Sequence, residues 1–165
     1  MVDGALTGAI HAMVVMGENP LMSEPNLSHA RHAMEALDFI MCIDIFMNET
    51  GELADVILPS ASFAEKDGTF TNSDRRVQRV REALPPVGKA RPDWLIVCDL
   101  AQRMEKLMGV QQSAGFDYWN AEAIWEEMRA LTPDFYGITY ERLENEGGVH
   151  WPCPSARPPR HALPV

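Results

Sequence analysis

Three short apolar runs in the first third of the chain alternate with helix-like segments, and this alternation is the strongest constraint on the fold. The runs cover residues 10–16, 39–43 and 56–58. Apolar residues at helical spacing separate the first two runs, and a shorter helical stretch, residues 47–54, separates the second from the third. Strands that alternate with helices in this way pair in parallel. We therefore predict a Rossmann-like α/β unit with three layers and a mainly parallel sheet.

Polar or turn-forming residues follow each predicted strand. Gly17 stops the first strand, Asp44 closes the second with Glu49 close behind, and Pro59-Ser60 stops the third. Ligands of parallel sheets bind outside the carboxyl ends of the strands, so these positions are candidates for a ligand-binding edge. Ordinary polar loops are the alternative, because any α/β unit has polar loops there. The candidates at the first two strand ends are Gly17, Glu18, Asn19, Pro20, Ser23, Asp44 and Thr50.

The middle of the chain marks a change in character. Residues 60–84 show no helical period, although residues 77–81 look extended, and Pro85-Pro86 resembles a linker. We therefore predict a Rossmann-like half-domain over residues 1–84. A helical segment over residues 85–150 and an irregular, proline-rich tail over residues 151–165 follow it.

The helical segment is predicted from caps and apolar stripes. Pro92 suits the first position of a helix, and Asn120 and Thr139 can cap two more. The first of these helices carries an apolar stripe composed of Trp94, Val97, Cys98, Ala101, Met104 and Met108. The side chains predicted to face inward from the second are Ile124, Trp125, Met128 and Leu131.

Composition excludes several classes of partner. The formal net charge of −10 argues against binding to the phosphate backbone of nucleic acid. No apolar stretch approaches the ~20 residues of a membrane helix, so no membrane partner is predicted. The three cysteines are odd in number and widely spaced, which argues against a disulfide framework and favours a reducing cytoplasm.

Among the remaining charged and metal-binding residues, one cluster of arginines is a further candidate for a functional site. Four arginines fall within seven positions, Arg75 to Arg81, in an otherwise acidic chain. They form either a solvated strand face or a set of guanidiniums that meets an anion or the carboxylates of a neighbouring segment. His29 and His32 lie three residues apart but have no evident third ligand, and we interpret them as surface residues. Cys153 lacks an evident basic partner, so no nucleophile is predicted there.

Several sequence blocks, taken in order, resemble the catalytic subunit of formate dehydrogenases of the molybdopterin-oxidoreductase family. They are MGENPLMS, DIFMNETGELADVILPSASFAEKDGTFTNSDRRVQRV and ARPDWLIVCDLAQRM. Later in the chain, TPDFYGITYERL and HWPCP are similar to the formate dehydrogenase branch. The resemblance covers nearly all of residues 8–154.

The resemblance implies a cofactor and its contacts. Such subunits hold molybdenum or tungsten on two molybdopterin guanine dinucleotides and oxidise formate to carbon dioxide. By resemblance, the strand-end loops here grip one of these dinucleotides, and Asp44→Ala is expected to abolish nucleotide binding with little loss of stability. Relatives often carry Gln where this chain has Ile43, so an amide that could reach the nucleotide is missing. The implied contacts are Gly17, Glu18, Asn19, Pro20, Ser23, Ile43, Asp44, Thr50, Pro59 and Ser60.

No segment of the chain matches the family's iron–sulfur, metal-ligating or catalytic positions, so neither catalytic nor metal-ligating residues are predicted. We interpret the chain as a fragment that binds cofactor and is inactive alone, with the remainder of the catalytic subunit or a second copy as its partner. Two alternatives stay open. One is a free-standing guanine-nucleotide-binding module, and the other is a non-catalytic subunit with a structural or interaction role.

Overall fold

The computed structural model describes residues 1–110 and 115–155, which form two compact units. The first unit comprises Met1–Ser62 with Pro86–Val97, and the second comprises Phe63–Pro85 with the chain from Cys98 onward. The predicted domains divide the chain differently, after residue 84. Residues 63–85 belong to the second unit because they form a β-hairpin that packs within it. Residues 156–165 of the predicted tail lie outside the described residues.

The first unit is built on a parallel three-stranded sheet in the order β1-β2-β3. Val15 of β1 is aligned with Cys42 of β2, and Cys42 with Ile57 of β3. The predicted α/β class and parallel sheet are confirmed. The elements are α1 (Val2–Leu6), β1 (Ala12–Met16), α2 (Pro20–Ser23), α3 (Leu27–Glu35), β2 (Phe39–Asp44), α4 (Glu49–Glu52) and β3 (Val56–Pro59).

Helix α3 covers one face of this sheet. Asn26 caps the helix by accepting a hydrogen bond from the backbone N–H of His29 (3.1 Å). The apolar side of α3 then packs onto β1 and β2, as the helical spacing predicts. The buried cluster consists of Val15, Leu21, Ala30, Met34, Ile40 and Cys42. Helix α1, which the sequence patterns did not reveal, lies against α3.

The second unit contains an antiparallel sheet in the order β4-β5-β6. Of these strands the sequence indicates only β5, as an extended segment, because β4 is four residues long and β6 is two. Asn120 and Thr139 cap α6 and α7 as predicted, accepting from the N–H groups of Ala123 (2.8 Å) and Arg142 (3.2 Å). Helix α5 (Asp93–Leu107) begins in the first unit and continues into the second from Cys98. The other elements are β4 (Gly68–Thr71), β5 (Arg76–Val80), α6 (Ala121–Leu131), α7 (Tyr140–Glu146) and β6 (Val149–His150).

The core of the second unit surrounds Trp125, whose indole N–H donates to the carbonyl oxygen of Ile138 (2.7 Å). Two predicted stripes are buried only in part. Leu131 of α6 is exposed, so the prediction that it faces inward was wrong, and Met104 and Met108 at the end of the α5 stripe are exposed as well. The buried cluster consists of Val77, Trp125, Ile138, Tyr140, Leu143 and Val149.

Across residues 1–110 and 115–155, no helix has the length and apolarity that crossing a membrane requires.

Candidate functional site

The carboxyl ends of the three parallel strands lie side by side. The backbone N–H of Gly17 donates to the carbonyl oxygen of Ile43 (2.9 Å), which joins the end of β1 to β2. The N–H of Ser60 donates to the carbonyl oxygen of Asp44 (3.0 Å), which joins the end of β3 to β2. These bonds bring residues 17–23, 44–50 and 59–60 to one side of the sheet, hereafter the strand-end edge.

The side chain of Asn19 ties the loop after β1 to helix α4. Gly17 first turns the chain away from the sheet with a φ of +62°, a left-handed conformation that glycine adopts without strain. The Asn19 amide nitrogen donates to Oε2 of Glu49 (2.7 Å). Its oxygen accepts from the hydroxyl of Thr50 (2.7 Å) and from the Thr50 N–H (3.3 Å). Asn19 therefore has partners for both polar atoms, and it links two loops.

Thr50 completes this link from inside the protein. Thr50 is 0 % exposed, and its hydroxyl oxygen also accepts a hydrogen bond from the backbone N–H of Leu21 (3.2 Å). A hydroxyl buried in this way cannot reach a ligand outside the fold. The predicted role of Thr50 as a direct cofactor contact therefore disagrees with the structure, which gives it a positioning role.

Asp44 organises the loop between β2 and α4. Its Oδ1 accepts from the N–H groups of Ile45 (2.6 Å) and Phe46 (3.3 Å), and its Oδ2 accepts from the side chain of Asn48 (3.0 Å). Asn48 in turn caps α4 by accepting from the N–H of Gly51 (2.8 Å). The expectation that Asp44→Ala leaves stability nearly unchanged needs revision. Loss of three bonds to one carboxylate is worth about 1–3 kcal/mol.

The other predicted residues divide between exposed and buried positions. Glu18 and Ser23 are exposed, and the Ser23 hydroxyl donates to Oε2 of Glu18 at 3.4 Å. Pro20 begins α2 and Pro59 ends β3, so both shape loops. Ile43 is 0 % exposed, so only its backbone, and not its side chain, can take part at the strand-end edge.

Asp93 is a member of this site that the sequence patterns did not single out. Its Oδ1 accepts a 2.5 Å hydrogen bond from the hydroxyl of Ser60, which is itself buried. Residues 91 and 59–61 run beside each other, because the N–H of Arg91 donates to the Pro59 carbonyl and the N–H of Ala61 to the Arg91 carbonyl. This pairing places the first residue of α5 next to the end of β3. The signal available in the sequence was the position of Asp93 directly after Pro92, at a helix start.

The electrostatics of the strand-end edge favour ligands that donate hydrogen bonds. Glu18 and Glu49 are exposed, and Asp44 and Asp93 are partly exposed. The hydrogen bond from Asn19, followed by one from the backbone, lowers the pKa of Glu49, so its carboxylate stays ionised at neutral pH. Ionised carboxylates accept from N–H and O–H groups and repel phosphate. This edge therefore suits the neutral donor groups of a ligand rather than its anionic ones.

Two arginines of the Arg75–Arg81 cluster, Arg79 and Arg81, meet a carboxylate within the chain. Nε of Arg79 lies 2.9 Å from Oε1 of Glu144, its Nη1 donates to the Gly68 carbonyl (2.7 Å), and its guanidinium stacks on the Tyr140 ring (3.9 Å). Arg81 pairs with the other oxygen of Glu144. The sequence left open whether these arginines are solvated or meet carboxylates of a neighbouring segment. For Arg79 and Arg81, the second alternative is confirmed.

The remaining candidate residues have local partners. His29 pairs with Asp3 (3.0 Å). Cys153 accepts a hydrogen bond from the Arg142 guanidinium (3.2 Å), a basic partner that the sequence did not reveal. Within residues 1–110 and 115–155, no three His, Cys, Asp or Glu side chains group closely enough to hold a metal ion.

Comparison with known proteins identifies the family. The sequence profile described as "Molybdopterin oxidoreductase" matches residues 1–103. The chain belongs to the molybdopterin oxidoreductase family. It is similar to the F420-dependent formate dehydrogenase subunit alpha of Methanocaldococcus jannaschii, with 46% identity over 144 residues, or 87% of this chain and 20% of that protein. It is also similar to formate dehydrogenase H of Escherichia coli, with 42% identity over 149 residues, or 90% of this chain and 20% of that protein.

Among solved structures, the fold of this molybdopterin oxidoreductase chain resembles that of acetylene hydratase from Pelobacter acetylenicus. The TM-score is 0.68 at 21% identity, and the match covers 91% of this chain and 20% of the hydratase. At this identity the likeness concerns the fold alone. The chain spans about a fifth of the length of the relatives that it matches.

Proposed function

We propose that this chain is part of the cofactor-binding domain of a formate dehydrogenase-like oxidoreductase. Its strand-end edge holds the guanine nucleotide of one molybdopterin guanine dinucleotide. The observation that carries the proposal is the meeting of three strand-end loops at one edge, where carboxylates stand beside the Ser60 hydroxyl. The similarity to two proteins named as formate dehydrogenases supports the choice of branch.

The residues present fit the nucleoside part of this cofactor. Guanine carries two adjacent N–H donors on its base-pairing edge, N1–H and N2–H, and one carboxylate can accept both. Adenine offers a donor beside a ring-nitrogen acceptor, which a carboxylate repels. We assign Asp93 to the base, because this first residue of α5 lies beside the end of β3 and bonds to Ser60. Glu18 is exposed at the end of β1 and can accept from ribose hydroxyls.

This chain's contribution is to bind and orient the nucleotide, with Asn19 and Thr50 fixing the loop and Gly17 allowing the backbone to approach the ligand. The metal and the pterin dithiolenes supply the redox chemistry when the cofactor is bound. The remaining segments of such a catalytic subunit are the proposed partner. We place the protein in the cytoplasm, which the free thiols of Cys42, Cys98 and Cys153 support.

Calorimetric titration with GDP and ADP tests the proposal directly. Without the pterin, we expect a dissociation constant that is micromolar at best, about −8 kcal/mol or weaker, with GDP preferred. Asp93→Asn replaces one of the two acceptor oxygens by a donor NH2 group and should weaken GDP binding about tenfold while relaxing the preference for GDP. Asp38→Asn is the matched control, because Asp38 precedes β2 at the opposite edge of the sheet. Equal binding of GDP and ADP contradicts the proposal, and failure to bind either nucleotide favours the structural alternative.

We expect the purified chain alone not to oxidise formate, because none of its segments matches the metal-ligating or catalytic positions of the family. Formate-dependent dye reduction, combined with metal analysis, measures this. Turnover with stoichiometric molybdenum or tungsten would overturn the expectation.

A further inference from the structure

Three consecutive apolar residues are exposed in the loop that leaves the central strand β2. Ile45, Phe46 and Met47 have 50%, 76% and 65% of their surface exposed. Runs of three exposed apolar residues are uncommon in folded proteins unless they bind something. The run begins directly after Asp44, so it belongs to the strand-end edge.

The backbone of this loop is held in place although its side chains are exposed. Asp44 accepts the N–H groups of both Ile45 and Phe46, and Asn48 bonds to Asp44 on one side and to α4 on the other. A loop fixed by four such hydrogen bonds presents its side chains in a defined direction. Ordering them on binding therefore loses little conformational entropy.

Phe46 differs from its two neighbours. The sulfur of Met47 folds back towards Gly51 of α4, where an added Cβ would lie 3.3 Å from it. Phe46 is the most exposed of the three and the only aromatic one. Its loop leaves the middle of three strands, so the loops after β1 and β3 flank it.

We infer that the ring of Phe46 is the surface on which the guanine base stacks. This inference rests on the proposed function and adds a binding residue to the same site. The carboxylates at this edge hydrogen-bond in the plane of a base, at its rim, and they leave the two faces of the base without a partner. An aromatic ring presented beside them supplies that partner, because base–aromatic stacking strengthens binding substantially for any base.

The chemistry of the surroundings selects a base over an apolar protein segment as the occupant. Phe46 follows Asp44 by two residues, and Glu49 follows three residues later. An apolar segment that covered Phe46 would bring these carboxylates close to groups that cannot donate to them, at a desolvation cost. A base has apolar faces and a donor rim, and so it satisfies both kinds of residue together.

Titration of the full chain with GDP tests the inference through Phe46→Leu and Phe46→Tyr. We expect Phe46→Leu to raise the dissociation constant about tenfold and Phe46→Tyr to keep it within about twofold. In NMR spectra of bound GDP, the H8 proton of guanine should shift upfield with wild type and with Phe46→Tyr, and not with Phe46→Leu. Phe70→Leu is the matched control, because Phe70 is an exposed phenylalanine of the other compact unit.

The outcomes separate the two levels of the proposal. If wild type binds no guanine nucleotide, the proposed function and the stacking role both fall. If wild type binds GDP with the same affinity and the same H8 shift as Phe46→Leu, only the stacking role falls, and a protein segment becomes the occupant of this loop. Circular dichroism melting of Phe46→Leu identifies any loss of fold, and in that case Phe46→Met, which keeps the volume without a ring, replaces it.

Discussion

The two compact units each contain a polar cluster that stands out in the sequence, and they use these clusters in opposite ways. In the first unit, the cluster follows the ends of parallel strands, and its internal hydrogen bonds leave Glu18, Glu49 and Phe46 at the surface. In the second unit, the cluster lies on a hairpin strand, and Glu144 of α7 receives both Arg79 and Arg81.

This difference indicates which of the two polar clusters can bind a ligand. Parallel strands end together, so the loops beyond them gather polar side chains at one edge of the sheet, where ligands bind. A hairpin strand instead lies along a sheet face that a helix covers, and that helix supplies charges of opposite sign. The strand-end edge is therefore a candidate binding site, whereas the Arg79 region stabilises the fold.

The structural role of the second unit's cluster predicts that Arg79 is required for stability. Arg79 is 14 % exposed at its side chain and holds Glu144, Gly68 and the Tyr140 ring together. Arg79→Met should lower the free energy of unfolding by about 3 kcal/mol, because it removes the hydrogen bonds to Glu144 and to the Gly68 carbonyl and the stacking on the Tyr140 ring. Chemical denaturation measures this change in the free energy of unfolding.

Arg81→Met is the control for Arg79→Met. Arg81 also pairs with Glu144 but is 61 % exposed, so its loss should cost under about 1 kcal/mol. Equal effects would remove the distinction.

Thr50→Val tests the binding role of the first unit's cluster. The substitution keeps the shape but removes the hydroxyl that serves Asn19 and Leu21, so a buried N–H loses its partner. We expect a loss of about 2 kcal/mol in stability, together with weaker GDP binding, because the loop is no longer fixed. Thr50→Ser keeps the hydroxyl and should retain the nucleotide affinity. If Thr50→Val bound GDP as wild type does, the link would have no bearing on the site.

The sheet of the first unit has an open edge at β1. Among the described residues, β1 pairs only with β2, and its Val14 and Met16 are 56% and 50% exposed. We propose that a second copy of the chain pairs along this edge, since open strands are templates for association. Sedimentation should show a dimer that tightens with salt, which screens the net charge of −10. Val14→Lys should weaken it about tenfold, while Phe70→Lys on β4 should leave it unchanged. A monomer of 18.5 kDa at all salt concentrations would contradict the proposal.

The smallest expected effect concerns the pH dependence of the Asn19–Glu49 bond. The pKa of Glu49 is lowered in the folded protein, mainly by this hydrogen bond, so the folded state holds the proton less tightly than the unfolded state. Its stabilisation is therefore complete above the ordinary value of 4.5 and is lost as the pH falls through the folded pKa. Denaturation of wild type and Glu49→Gln should give a difference at pH 7 that disappears on acidification. Glu52→Gln, on the same helix, corrects for the loss of a negative charge. A difference that persists in acid would rule out the bond as its source.

The sequence by itself indicated the parallel sheet of the first unit, helix α3 and the strand ends at which the candidate site lies. The apolar runs, the helical spacing between Leu27 and Leu37, and the polar residues after each run are local signals. Each describes a segment whose preference does not depend on distant parts of the chain. The capping residues Asn120 and Thr139 are local for the same reason, since a cap bonds within its own first turn.

Only the tertiary structure decided what each polar residue does. Asn19 and Thr50 are 31 positions apart, and Ser60 and Asp93 are 33 apart, so no local pattern shows that they bond. Leu131 and Met104 are exposed for a related reason, because periodicity identifies an apolar face of a helix but does not show whether another element covers it. The two-residue strand β6 is likewise defined only by its pairing with β5. A side chain's role depends on which groups lie around it, and long-range packing alone brings those groups together.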